Sequence, residues 1–186
     1  MNSREQVEEA LGLPCILKKP DSSFSQGVSK ATTSGELLHY GRELLNDSEL
    51  IIAQQFLPSA FDWRIGVLDK KPLFACKYFM VNNHWQIIQR ASDGTKKEGT
   101  SENIRLEEVP AKVLSTAVKA ANLIGNGLYG VDLKEINNKV YLIEINDNPN
   151  IDAGIEDAYL KDELYSIIMA SFLARIERRK RLHDQE

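Results

Sequence analysis

Apolar and polar positions alternate most cleanly over Tyr129–Ile136 and again over Val140–Asn146. Alternation with period two predicts strands with one buried face, and the polar Asn137-Asn138-Lys139 between them predicts a hairpin. Earlier in the chain Cys15–Lys19, Val28–Ala31, Glu49–Leu57, Trp63–Leu68 and Pro72–Met80 read as strands, the last two joined by an Asp69-Lys70-Lys71 turn. Trp85–Gln89 reads as another strand, and Ala91–Glu102 as a polar loop. Helical spacing marks four segments. Ser3 and Gln6 cap a short helix closed by Gly12, and Thr33 with Glu36 caps one reaching about Leu45. Pro110 opens a third helix with Val113, Leu114, Ala117, Val118, Ala121 and Ile124 on one face, and a fourth starts near Glu156. Strands and helices in this order predict an α+β fold with two sheets rather than a doubly wound βαβ array.

The predicted C-terminal hairpin carries oxygens where a buried strand favours Val or Ile. Glu144 and Asn146 are two apart and share a face. A three-residue turn pairs Ile136 with Val140 and sets Asp132 opposite Glu144, at about 4.5–5.5 Å between Cβ atoms. Two carboxylates and an amide oxygen then converge, with no Lys or Arg among them, which is the hard donor set Mg²⁺ takes. The alternative is a solvated acidic face, and a register shift of one residue would separate the pair.

Other segments carry weaker signals. Lys18 and Lys19 end a strand just before the small, polar Ser22–Gly27 loop, a layout able to hold phosphate, although no GxxxxGK[ST] loop is present. As strand neighbours the two lysines point to opposite faces, so only one can serve. Gln55, Phe56 and Leu57 lead into a connector whose backbone groups can mimic base pairing to adenine. Asp62 and Arg64 share a strand face, with Lys77 on the next strand; ordinary surface ion pairs would explain them equally well.

The chain has 186 residues and a formal charge of −4, and its basic run at Arg175–Arg181 suits a helix C-terminus. No basic footprint for nucleic acid exists, and no apolar run reaches the length of a membrane span. Cys15 and Cys76 are expected as buried free thiols, and a cytoplasmic protein is expected.

In order, the words Pro14-Cys-Ile-Leu-Lys-Lys19, Ser25-Gln-Gly-Val28, Gln55-Phe-Leu57, Asp62-Trp-Arg64, Ala75-Cys-Lys77, Gly130-Val-Asp-Leu133, Ile143-Glu-Ile-Asn146, Pro149 and Gly154-Ile-Glu156 resemble the ATP-grasp superfamily. The likeness is greatest to its RimK-like carboxylate–amine ligases and spans about residues 13 to 156. It implies one ATP-grasp domain over residues 1–186, with two α+β lobes of antiparallel sheet gripping ATP. A small phosphate-covering lobe would span about 13–57 and a larger metal-binding lobe about 58–186. The resemblance assigns Lys18 to phosphate, Gln55, Phe56 and Leu57 to adenine, and Asp62 to the ribose side. Asp132, Glu144 and Asn146 would bind Mg²⁺, with Mn²⁺ able to take its place. Arg64, Lys77 and the His84–Gln86 stretch would face phosphate or substrate.

The implied reaction forms an acyl-phosphate from ATP and a small-molecule or peptide carboxylate, which an amino-acid or peptide amine then attacks. A non-catalytic ATP-binding regulatory module is the alternative. This sequence departs from the family pattern in having Lys19 and extra serines after Lys18, Gln55 where Glu is usual, and Asn150 where Gly is usual. The family's N-terminal domain has no counterpart, so a longer protein is expected to supply it, and homo-oligomerisation is left open.

Overall fold

In the computed structural model, residues 3–20, 27–90 and 94–183 are described. The chain divides into two compact units, Met1–Pro58 and Ser59–Glu186.

The first unit contains α1 (Ser3–Leu11), β1 (Cys15–Lys18), β2 (Val28–Ala31), α2 (Ser34–Asn46) and β3 (Ile52–Gln55). Its three strands form an antiparallel sheet in the order β2-β1-β3. Cys15 and Leu17 are buried with Ala31, Leu37 and Leu44, and Val7 and Leu11 of α1 pack against that cluster. Gly12 ends α1 at φ 70°, a left-handed position that glycine adopts without steric cost. The Thr33 hydroxyl accepts from the Glu36 amide, while the Glu36 carboxylate reaches back to the amide and hydroxyl of Thr32. β3 is shorter and wetter than its sequence suggests, with Leu50 exposed and Ile52 partly so. Ile52 pairs with Lys18 on the sheet face away from the α1 and α2 residues, so that half of the strand's apolar pattern meets no second layer in this unit. The Ser22–Gly27 loop falls largely outside the described residues.

The second unit contains β4 (Phe61–Leu68), β5 (Lys71–Phe79), β6 (Ile88–Arg90), β7 (Lys96–Glu98), β8 (Ser101–Ile104), a 3₁₀ turn at Leu106–Glu108, α3 (Ala111–Ile124), β9 (Leu128–Ile136), β10 (Lys139–Asn146) and α4 (Asp162–His183). Five strands form an antiparallel sheet in the order β10-β9-β4-β5-β8, and β6 with β7 makes a separate ribbon. The sequence expectation of two sheets and a polar loop at Ala91–Glu102 is therefore corrected: β7 and β8 lie there. Both are almost wholly polar, so no alternation signals them. Trp85 and Gln86 precede β6 rather than belonging to it.

Both long hairpins turn more tightly than expected. Asp69 and Lys70 (φ 52° and 69°) and Asn137 and Asn138 (φ 51° and 60°) are two-residue turns with both residues left-handed, the geometry that matches strand twist. Each is followed by a bulge that restores the lost residue, at Leu73 in β5 and at Ile143 in β10. Glu144 consequently stands opposite Asp132, as the sequence reading had it, by a different route.

The face bearing Trp63, Ile65, Val131 and Leu133 is covered by Val113, Ala117 and Ala121 of α3. On the opposite face Phe74 and Cys76 meet Leu164 and Ile168 of α4. That helix begins at Asp162, later than expected, because residues 153–161 form successive turns. Leu142 is 44% exposed on the edge strand, so it carries none of the core packing its alternation suggests.

Candidate functional site

The sheet face opposite α3 holds a polar cluster on its central strands. Arg64 of β4 is directly paired with Asp132 of β9, and its Nε and Nη2 donate to the two carboxylate oxygens at 2.8 and 2.9 Å. Its Nη1 donates to Asn150 Oδ1 at 3.0 Å, and the guanidinium lies 5.1 Å from the Tyr78 ring centroid. Arg64 and Asp132 side chains are only about a fifth exposed. Burial alone would lower the Arg64 pKa, but the hydrogen bonds and charge of Asp132 outweigh it and hold the guanidinium charged. The expectation of no cation in the acidic cluster is corrected: Arg64 sits within it. Sequence spacing within one strand could not reveal this, because the contact spans β4 and β9.

The loop after β10 is held down by a close approach. A Cβ on Gly130 would lie 2.8 Å from Pro149 Cβ, so the absence of a side chain there lets Pro149 seat against β9. This sets Asn150 over Arg64, and Asn150 Nδ2 donates onward to Asp152 Oδ2 at 2.7 Å. The Asn at 150, a departure from the family pattern, is thus used as a bridge.

A second group lies beside it on β5 and β8. Glu156 is buried at 1% exposure, accepts a hydrogen bond from the Tyr78 hydroxyl, and accepts from the Asp152 amide at 2.8 Å. Asn103 Nδ2 donates to the Ile155 and Glu156 carbonyls at 2.8 and 3.0 Å. Burial, then the bond and charge of Glu156, push the Tyr78 hydroxyl pKa far up; burial and Glu156 push the Cys76 thiol up to about 12. Glu156 ends the family word Gly154-Ile-Glu156, which by itself assigns it no role. Nothing local distinguishes it from Asp157, which is half-buried and accepts from the Gly154 amide and the Tyr165 hydroxyl.

The remaining expected residues divide. Asp62 accepts from Lys134 Nζ and Ser59 Oγ. Its pKa is raised by burial, with the Lys134 charge opposing. Lys77 pairs with Trp63 across the ladder and lies 5.1 Å from the Trp63 ring centroid, on the α3 face. Arg64 and Lys77, both expected from the resemblance to face phosphate or substrate as the catalytic pair, therefore stand on opposite faces of the sheet. His84 Nε2 is 3.1 Å from Gln86 Oε1, within its own turn.

In the first unit Lys19 Nζ pairs with Asp47 at 3.1 Å. Lys18 alternates with buried Leu17 and so projects from the sheet face away from α2. Gln54, paired with Ile16, shares that face, whereas Gln55 pairs with buried Cys15 on the other. Phe56 receives Lys30 Nζ at 3.8 Å over its ring, and its amide donates to the Pro14 carbonyl.

Whether the hairpin residues suit a divalent ion can be read from their lone pairs. Among the described residues no three His, Cys, Asp or Glu side chains gather as a metal site. Asp132 and Glu144 become a three-membered donor set only with Asn146, which pairs with Gly130 on the same face. A carboxylate offers about four lone-pair directions. Arg64 takes one on each Asp132 oxygen, fixing the group while leaving others for a cation. Two hard carboxylates and an amide oxygen fit Mg²⁺.

With this geometry in place, comparison with known proteins is decisive about kinship. A model of the D-Ala-D-Ala ligase C-terminus matches residues 1–153. The chain belongs to that family. A D-alanine–D-alanine ligase of Neisseria gonorrhoeae is 31% identical over 150 residues, 79% of this chain and 49% of that protein. A probable alpha-L-glutamate ligase of Hydrogenovibrio crunogenus is 26% identical over 182 residues, 96% of this chain and 55% of its own length. The D-alanine–D-alanine ligase from Bacillus anthracis, solved complexed with ATP, has the same fold at TM-score 0.68 and 15% identity, covering 95% of this chain and 57% of that one. The ATP-grasp fold follows, and the chain spans about half the length of the curated relatives it matches.

Proposed function

We propose that this D-Ala-D-Ala ligase family chain is the ATP- and metal-binding part of a ligase that joins a carboxylate to an amine. An acceptor carboxylate would take the γ-phosphoryl group of ATP to give an acyl-phosphate, and an amine would then displace phosphate. The observation that carries this reading is the alignment of Asp132, Glu144 and Asn146 on one sheet face, with Asp132 gripped by Arg64. The relatives' names support the reaction class.

Residues 13–57 would form the phosphate-covering lobe and 58–186 the metal-binding lobe. The former would contribute Lys18 to phosphate and the connector Gln55-Phe56-Leu57 to adenine; Asp62 would serve the ribose side. Asp132, Glu144 and Asn146 would hold Mg²⁺, which when bound supplies neutralisation of charge on the transferring phosphoryl group. Arg64 fixes the Asp132 carboxylate in one orientation, and the Pro149–Asn150 loop fixes Arg64. No side-chain nucleophile is required; the residues position groups and balance charge. The acceptor is proposed as an amino acid or peptide carboxylate and the second substrate as an amino-acid amine. Among the described residues no helix is long and apolar enough to cross a membrane, which agrees with a cytoplasmic location.

The test is phosphate release from Mg·ATP by the full-length protein across amino acids and peptides. Release that depends on an added acceptor supports ligation. Thermal stabilisation by Mg·ATP without acceptor-dependent release supports the regulatory module instead. No response to Mg·ATP in either assay sinks both.

A further inference from the structure

α4 carries two apolar stripes: one packs into the core, and the other is exposed, with the Tyr165 hydroxyl at its start donating to Asp157 Oδ2 at 2.9 Å. Leu164 and Ile168 are buried, and Ser171 and Arg175 continue that stripe to Asp69 in the β4–β5 turn, at 3.4 and 3.1 Å. One residue further round lie Tyr165, Met169, Phe172 and Ile176, which are 39%, 64%, 36% and 52% exposed. Their 4-3-4 spacing is that of alternating d and a positions in a heptad; of the other exposed apolar residues of α4, Leu173 flanks this stripe and Ile167 lies off it. Continuing the same register, Asp162 precedes the stripe and Arg179 follows it, both exposed.

We propose that α4 pairs antiparallel with α4 of a second copy of this chain, about a twofold axis between Met169 and Phe172. The sequence is self-complementary about that point. Asp162 falls opposite Arg179 of the second copy, Tyr165 opposite Ile176, and Met169 opposite Phe172, and the twofold repeats each contact in reverse. Three residues on each side of the axis thus give apolar layers in the middle closed by an ion pair at both ends. A parallel arrangement would instead stack Arg179 on Arg179 and Asp162 on Asp162, which like-charge repulsion disfavours. The acidic start and basic end of α4 also complement the helix dipole, but a dipole effect does not require that the charges match across a partner.

Two heptads fall short of the roughly three to four that sustain a coiled coil alone. The dimer is therefore expected at the weak, small-interface end of protein association. Sedimentation equilibrium of the full chain up to about 200 µM tests it, that range covering the weak-interface regime. Wild type is expected to dimerise, and the Met169→Glu/Phe172→Glu variant to stay monomeric with unchanged circular dichroism and melting temperature. Arg179→Asp is expected to weaken association about tenfold, and Asp162→Arg on the same chain to restore it, by the charge-pairing logic of specific interfaces. Tyr165→Cys/Ile176→Cys is expected to form a covalent dimer on mild oxidation, while neither single variant does. A monomeric wild type throughout, as when the stripe is covered by another part of a longer chain, overturns the proposal. So does self-cross-linking of the single variants or failure of the charge-reversed pair to restore association.

Discussion

Arg64 and Asp132 face each other across the β4–β9 ladder and are joined by two parallel hydrogen bonds of 2.8 and 2.9 Å. Removing one partner of a buried pair leaves the other charge without compensation, which typically costs about 3–5 kcal/mol. Arg64→Ala is expected to lose about 3 kcal/mol of ligand-free stability in urea unfolding. Arg64→Lys should recover part of that, because an ammonium cannot reproduce the planar fork. An Arg64→Ala/Asp132→Ala chain that loses the full sum of the two single variants would show that the pair is not coupled.

Glu144 presents the opposite behaviour. It stands across from Asp132, a like charge, on the edge strand β10. Like charges directly opposed in a sheet destabilise it. Glu144→Ala is therefore expected to change the ligand-free melting temperature little, within about 0.5 kcal/mol in stability, while the added stabilisation from Mg·ATP falls sharply. A low melting temperature combined with a preserved Mg·ATP shift would make Glu144 structural and remove the proposed metal site.

Gly130 is set by Pro149. A methyl group there would meet Pro149 Cβ at 2.8 Å, so Gly130→Ala must push the Asn148–Asn150 loop off the sheet. The expected loss is about 1–3 kcal/mol, the usual range for an overpacked site. The displacement also removes the Asn150 acceptor from Arg64. Crystallography of the variant, or loss of the Mg·ATP thermal shift alongside reduced stability, checks both parts.

Cys76 makes stability fall in alkali. Its thiol pKa is about 12 in the folded chain against 9.0 unfolded, raised by burial and by Glu156. Below pH 9 both states keep the proton and the full stabilisation is present. Above it the unfolded state releases the proton first, so stability falls as pH rises toward 12, by about 1.4 kcal/mol per pH unit for one such group. Tyr78, also raised, adds to the decline above its ordinary value of 10.0. Cys76→Ala should flatten the slope of denaturation midpoint between pH 9 and 10. An unchanged slope would remove Cys76 as its source. The native thiol should also resist maleimide near pH 8 and react on unfolding.

Much of the fold was legible because local chemistry repeated at the right period. Thr33, Pro110 and Gly12 marked helix ends, and the alternation through Glu144 and Asn146 put both oxygens on one face. β7 and β8 were not legible, since Lys96–Glu98 and Ser101–Ile104 owe their strand state to partners rather than to apolar alternation. Cross-strand facts were hidden for the same reason. Lys77 and Arg64 look like companions in sequence, yet the pleat sends them to opposite faces. Arg64 enters the acidic cluster only because β4 lies beside β9. The buried Glu156 depends on the turns at 153–161 folding back over β5, which no periodic signal anticipates.

The tight turn and the bulge of the β9–β10 hairpin cancel each other in phase. The turn is one residue shorter than a three-residue loop, and Ile143 inserts one residue before Glu144 and Asn146. The tip of the hairpin is thereby uncoupled from its working end: only the sum of loop length and bulge must stay constant for Asp132 to meet Glu144. Lengthening the tip by one residue would be tolerated if Ile143 were deleted with it, whereas either change alone would turn Glu144 and Asn146 to the far side of the sheet. The alignment of the oxygens is in this sense a counting constraint distributed over ten residues of chain, Asn137 to Asn146, not a property of the turn.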